Sequence, residues 1–98
     1  MEEYELSKII QQDGRLFLIV DKTETEDYEV YDIETQKIQT LRLKDYSTIE
    51  IHKDALLLFI KEAYNKKIQQ LIKNDEPADG YVNGLVMITQ SQFFKGTQ

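Results

Sequence analysis

The dipeptide Asp13-Gly14 stands between two apolar runs, Ile9-Ile10 and Leu16-Phe17-Leu18-Ile19-Val20, and that arrangement restricts this chain more than any other feature. A type I′ turn needs positive φ at both central residues, and Asp-Gly supplies it at low steric cost. Strands at about 3–11 and 15–21 are expected on either side. The second is apolar on both faces over five residues and rich in β formers, so it belongs at the centre of a sheet, covered on both sides.

The same logic extends the sheet. After the polar segment 22–27, Tyr28-Glu29-Val30-Tyr31-Asp32-Ile33 reads as a strand whose alternation breaks at Tyr31 and Asp32, which suggests a bulge there. Glu34 to Lys37 is a turn, and Ile38 to Leu43 is a fourth strand with Arg42 and Lys44 facing away from Leu41 and Leu43. Four strands in meander order result.

Residues 44–52 support two readings. Ser47-Thr48-Ile49-Glu50 fits an S-x-x-E capping box, whereas Ile49, Glu50, Ile51 and His52 alternate as a strand does. A short strand at 48–52 is the preferred one. Asp54 is then expected to cap a helix over about 55–74, with Leu56, Phe59, Ile60, Ala63, Tyr64, Ile68 and Leu71 on its apolar stripe. Glu62 and Lys66 are spaced as a favourable i,i+4 pair, and Lys66, Lys67 and Lys73 suit the C-terminal end of the helix dipole.

Asn74 to Gly80 is a breaker cluster containing the only proline, Pro77. Asn83-Gly84 reads as a turn before a last strand at 85–89, and residues 90–98 read as a polar tail carrying Phe93-Phe94. The expected fold is therefore α+β: one domain over 1–98, an antiparallel meander of four to six strands packed with one long helix at about 54–74.

Composition then limits function. With 41% hydrophobic and 31% charged residues, the 98-residue chain is too apolar for a disordered segment and too polar for a membrane protein. Its longest apolar run, Ala55 to Ile60, has six residues against the ~20 that span a bilayer. There is no cysteine, hence no disulfide framework and no thiolate chemistry. The acidic start Met1-Glu2-Glu3-Tyr4-Glu5 lacks the basic and apolar pattern of a secretory signal, so a cytoplasmic location is expected. Ten Lys against two Arg, with many Ile, fit an AT-rich bacterial or phage genome, in which small acidic inhibitors of host defence are one class of product.

The net charge of −6 is unevenly spread: residues 1–34 carry −8, residues 35–74 carry +4 and residues 75–98 carry −2. Such asymmetry marks an interaction surface when folding preserves it. The acidic run Glu24, Glu26, Asp27, Glu29, Asp32 and Glu34 has no calcium-loop spacing, so it is read as an acidic surface that imitates a phosphate track, or as a solvated hairpin. Lys61, Lys66, Lys67 and Lys73 lie on the helix, but with only Arg15 and Arg42 to read bases and an opposing net charge, direct nucleic-acid binding is not expected.

Glu50, His52 and Asp54 project from one face if that segment is a strand, a carboxylate and imidazole set suited to a metal. A single strand supplies too few ligands, so a solvated face followed by a helix cap is the ordinary reading, and neither metal nor other cofactor is expected. His52 has no visible orienting carboxylate in a pocket, the chain contains no phosphate-loop, dinucleotide, zinc-protease or nucleophile-elbow motif, and no Glu-x-Lys triplet occurs. No enzyme is expected.

An interaction protein remains. Leu56 to Ile60 wraps more than a stripe of the helix, so Leu57 and Leu58, together with Phe93 and Phe94, are candidates for an interface, of which homodimerisation is the simplest form. The leading expectation is a small regulator or inhibitor that acts through a protein surface. The alternative is a small-ligand or nucleotide site at a homo-oligomer interface, lined by some of the six tyrosines and by Arg42, Lys44 and Lys53.

Overall fold

The computed structural model describes residues 8–91, which form two compact units dividing between Ile51 and His52. The fold is α+β: a five-stranded antiparallel sheet and two helices. In chain order the elements are β1 (Ile9–Gln12), β2 (Arg15–Lys22), β3 (Tyr28–Asp32), β4 (Lys37–Leu41), β5 (Ser47–Ile49), α1 (Lys53–Lys73) and α2 (Asp79–Thr89).

The first unit is built from the expected hairpin outward. Asp13 and Gly14 have φ of 57° and 75°, and Gln12 faces Arg15 across them, a two-residue turn of the anticipated type. The sheet order is β4-β3-β2-β1-β5, so the first four strands form a meander and β5 returns to pair with β1. That order places β2 at the centre, and Phe17, Leu18, Ile19 and Val20 are all buried.

Cross-strand register sorts the side chains into two faces. On one face Ile49, Ile9, Leu18, Tyr31 and Ile38 stand in a single row across all five strands. On the other, Ile10, Phe17, Ile19 and Val30 form a buried cluster, with Tyr28, Leu41 and Leu43 packed against it. Full burial of such a side chain contributes about 1.5–3 kcal/mol, so these rows dominate the unit's stability.

Because β4 and β5 lie on opposite edges, the segment 42–46 must cross the sheet, and Leu43 shows that it crosses over the Ile10–Phe17 face. Gln12 fastens the crossing. Its side-chain amide donates to the Arg42 carbonyl at 3.1 Å and accepts from the Lys44 N–H at 2.7 Å, which explains why an uncharged polar residue is buried there.

Three strand expectations are corrected. The bulge lies in β2 between Ile19 and Asp21, not at Tyr31-Asp32; β3 stays in continuous register with β4, and its apparent break in alternation arises because Tyr31 and Asp32 are both buried, one on each face. The strand expected at 48–52 is Ser47–Ile49 and ends before Glu50. The strand expected at 85–89 is helical, so the described residues form two helices, not one.

In the second unit α1 begins two residues earlier than expected, because His52 and not Asp54 is its cap: His52 Nδ1 accepts the Asp54 N–H at 3.1 Å. It ends in a Schellman motif, with Glu76 N–H on the Leu71 carbonyl, Asp75 N–H on that of Ile72, and Asp75 in the left-handed region at φ 61°. Of the expected stripe, Ile60, Ala63 and Tyr64 are buried.

Helix α2 packs on α1. The Tyr64 and Tyr81 rings meet edge to face at 5.6 Å, and Lys67 Nζ lies 5.7 Å from the centre of the Tyr81 ring. A β carbon at Gly84 would lie 3.4 Å from Cε2 of Tyr64, so the small residue permits close approach. Asn83-Gly84 and the β formers after it argued for a turn and then a strand here, and packing against α1 outweighs that propensity.

Candidate interaction surface

The acidic run does not survive folding as one surface. Glu24, Glu26 and Glu34 are exposed, while Glu29 is half-buried in β3. Asp32 is fully buried and is withdrawn from the expected acidic surface. It forms an ion pair with Arg15, and its other oxygen accepts the N–H groups of Glu34 at 3.0 Å and Thr35 at 3.2 Å. The Gln36 N–H donates to its carbonyl at 2.7 Å, so this residue organises the whole β3–β4 turn.

Asp27 is also engaged. It accepts from Arg42 Nε at 2.9 Å, while Glu26 lies 3.9 Å from the same guanidinium. The hydrogen bond from Asp27 and then its charge, with Glu26 adding, raise the Arg42 pKa above its ordinary value. The loop that carries these acids is ordered by threonines: Thr23 Oγ1 donates to the Asp27 carbonyl at 2.7 Å, and Thr25 Oγ1 accepts the Asp27 N–H at 3.2 Å. Only part of a phosphate-like track is left, because three of its six carboxylates, Asp32, Asp27 and Glu26, are paired with arginines.

Glu50, His52 and Asp54 do not share a strand face: the first two lie between β5 and α1, and Asp54 is in the first turn of α1. Among the described residues no cluster of histidine and carboxylates is suited to a metal ion. His52 has a positional task, as the cap whose Nδ1 accepts the Asp54 backbone N–H.

On α1, Leu58 is 55% exposed, whereas Leu57 is half-buried. Phe93 and Phe94 lie outside the described residues, as does most of the expected tail. Arg42 and Lys44 are on the crossing segment of the first unit and Lys53 opens α1 in the second.

Three exposed large hydrophobic residues lie on α2, part of which, 85–89, was expected as a strand. Val82, Val86 and Met87 on α2 are 44%, 48% and 72% exposed, while Tyr81, Gly84, Leu85 and Ile88 are the less exposed positions. Spacing explains the division: Val82 and Val86 are four apart on one helical side, Met87 adjoins them, and the Tyr81, Gly84, Leu85 and Ile88 side turns inward. An α2 that is apolar on both sides has more hydrophobic surface than α1 covers. The signal in the sequence was Val82-x-x-x-Val86-Met87 beside Tyr81-x-x-Gly84-Leu85, two interleaved helical stripes that also read as a run of β formers.

The outer side of α2 carries one charged residue, Asp79, in the first turn. No helix of the described residues is long and apolar enough to cross a membrane. No protein-family model, no curated protein and no solved structure matches the chain.

Proposed function

We propose that the protein is a non-enzymatic cytoplasmic interaction module, a regulator or inhibitor that presents a surface to other protein, and that it assembles with a second copy of itself through the outer side of α2. The observation that carries this reading is the exposed Val82, Val86 and Met87 stripe on a helix whose opposite side is already used against α1.

Charge supports a second copy as the occupant. Chains of net charge −6 repel one another, and the outer side of α2, with Asp79 as its only charge, is where two copies meet without opposing several carboxylates. In a two-fold arrangement with antiparallel α2 helices the two Asp79 residues stand at opposite ends, roughly 16 Å apart for an eleven-residue helix. One helix face is small beside a standard interface of about 800 Å² per partner, so the dimer is weak and concentration-dependent.

Sedimentation velocity across a concentration series tests it. The wild type is expected to shift from monomer to dimer, Val86→Glu with Met87→Glu to remain monomeric with an unchanged helical spectrum, and Leu58→Glu to dimerise as the wild type does. A wild type that stays monomeric throughout, or a dimer indifferent to the α2 changes, overturns the reading.

A further inference from the structure

We infer that the outer edge of β4 accepts an added strand from an acidic, extended peptide segment, a second interaction surface independent of α2. β4 is an edge strand, and no described residue pairs with its outer side. The backbone groups that face outward follow from register. The Ile33 N–H donates to the Leu16 carbonyl on β2, so alternate residues of β3, namely Asp32, Val30 and Tyr28, direct their N–H and C=O groups towards β4. Their partners Lys37, Gln39 and Leu41 face inward in turn, which leaves the N–H and C=O groups of Ile38 and Thr40 along the open edge.

Edge strands are ordinarily blunted by proline, a bulge or several charges. β4 has no proline and an unbroken register with β3, and its one charged residue, Lys37, sits at its beginning. Gln39 and Thr40 are exposed, so the edge is open to a partner.

The partner's chemistry follows from the charges beside that edge. Residues 35–44 contain Lys37, Arg42 and Lys44 and no carboxylate, a basic stretch within a chain of net charge −6. Arg42 is held by Asp27, Lys44 is carried away from this edge to Gln12 on β1, and Asp32, opposite Lys37, is held by Arg15, so the edge's own cation is Lys37, with no side-chain ion pair among the described residues. Glu29 faces Thr40 in the neighbouring strand, so Lys37, and not the middle of β4, is where an added strand's carboxylate meets a cation. A fitting strand places a carboxylate beside Lys37 and an apolar residue beside Ile38, an acid–apolar alternation matching the two faces of the sheet. A second copy of β4 brings no carboxylate within 35–44 to meet Lys37, which favours a foreign acidic strand over self-pairing.

The test is fluorescence anisotropy of a labelled octapeptide alternating Glu and Val, with a Lys–Val peptide as the charge control, joined to hydrogen exchange of the Ile38 and Thr40 amides. The Glu–Val peptide is expected to bind and to slow exchange at those two amides, the Lys–Val peptide to bind at least tenfold more weakly, and Lys37→Glu to lose tenfold or more. Thr40→Pro removes an outward N–H and is expected to lose at least as much, whereas Thr40→Val keeps it and binds like the wild type. If Thr40→Pro fails to fold, the exposed Lys37→Glu change carries the comparison. Equal binding of the two peptides, no binding, or Ile38 and Thr40 amides already protected in the free chain overturns the inference.

Discussion

Asp32 shows how a residue's neighbours decide its role. As a letter in an acidic run it reads as solvated surface; in the fold it is fully buried, bonded to Arg15 and to two turn amides. Asp32→Ala is expected to lower stability by about 2–4 kcal/mol in urea unfolding, since it strands a cation that is partly exposed together with turn N–H groups. Asp75 presents the opposite case, a side chain tolerated in a conformation better suited to glycine, at φ 61° in the α1 C-terminal motif. Asp75→Gly is expected to raise the unfolding midpoint, corresponding to about 0.5–1 kcal/mol, and a fall would contradict the cap geometry. Asp13-Gly14 was legible because its partners are local. The Asp32 environment was not, because Arg15 is seventeen residues away and nothing in the spacing links the two.

Among the elements, those defined by a single period were legible: β1 and β2 with their turn, and α1 with its stripe and its stop before Pro77. Two were not, for different reasons. The β5–α1 junction contains competing start signals, and the imidazole of His52 took the cap that Asp54 was expected to supply. His52→Ala is expected to cost α1 about 1 kcal/mol and His52→Asn to recover most of it, as read from the unfolding midpoint. α2 was hidden because Gly80, Gly84 and the β formers around them lower helix propensity, and only packing against Tyr64 restores the balance. Gly80 has open space around its α carbon, so Gly80→Ala is expected to stabilise the protein by about 0.5–1 kcal/mol. In a loop, as the breaker cluster Asn74 to Gly80 predicts, the same change would gain no helix propensity.

At the scale of the whole molecule, the charge asymmetry of the sequence is redistributed rather than kept. The acidic first third is partly neutralised by Arg15 and Arg42, the second of which comes from the basic middle segment. What distinguishes the folded chain is instead an apolar helix side with one charge, and an open strand edge that begins at a lysine. Neither was visible to a reading of composition, since the first depends on α2 being a helix and the second on β4 lying at the edge. The proposed account rests above all on α2 meeting α2 in a second copy. The most direct measurement is an isotope-filtered nuclear Overhauser experiment on an equimolar mixture of labelled and unlabelled protein at high concentration. The account predicts intermolecular cross-peaks among the methyl groups of Val82, Val86 and Met87; cross-peaks confined to other residues, or none under conditions where the protein is dimeric, would contradict it.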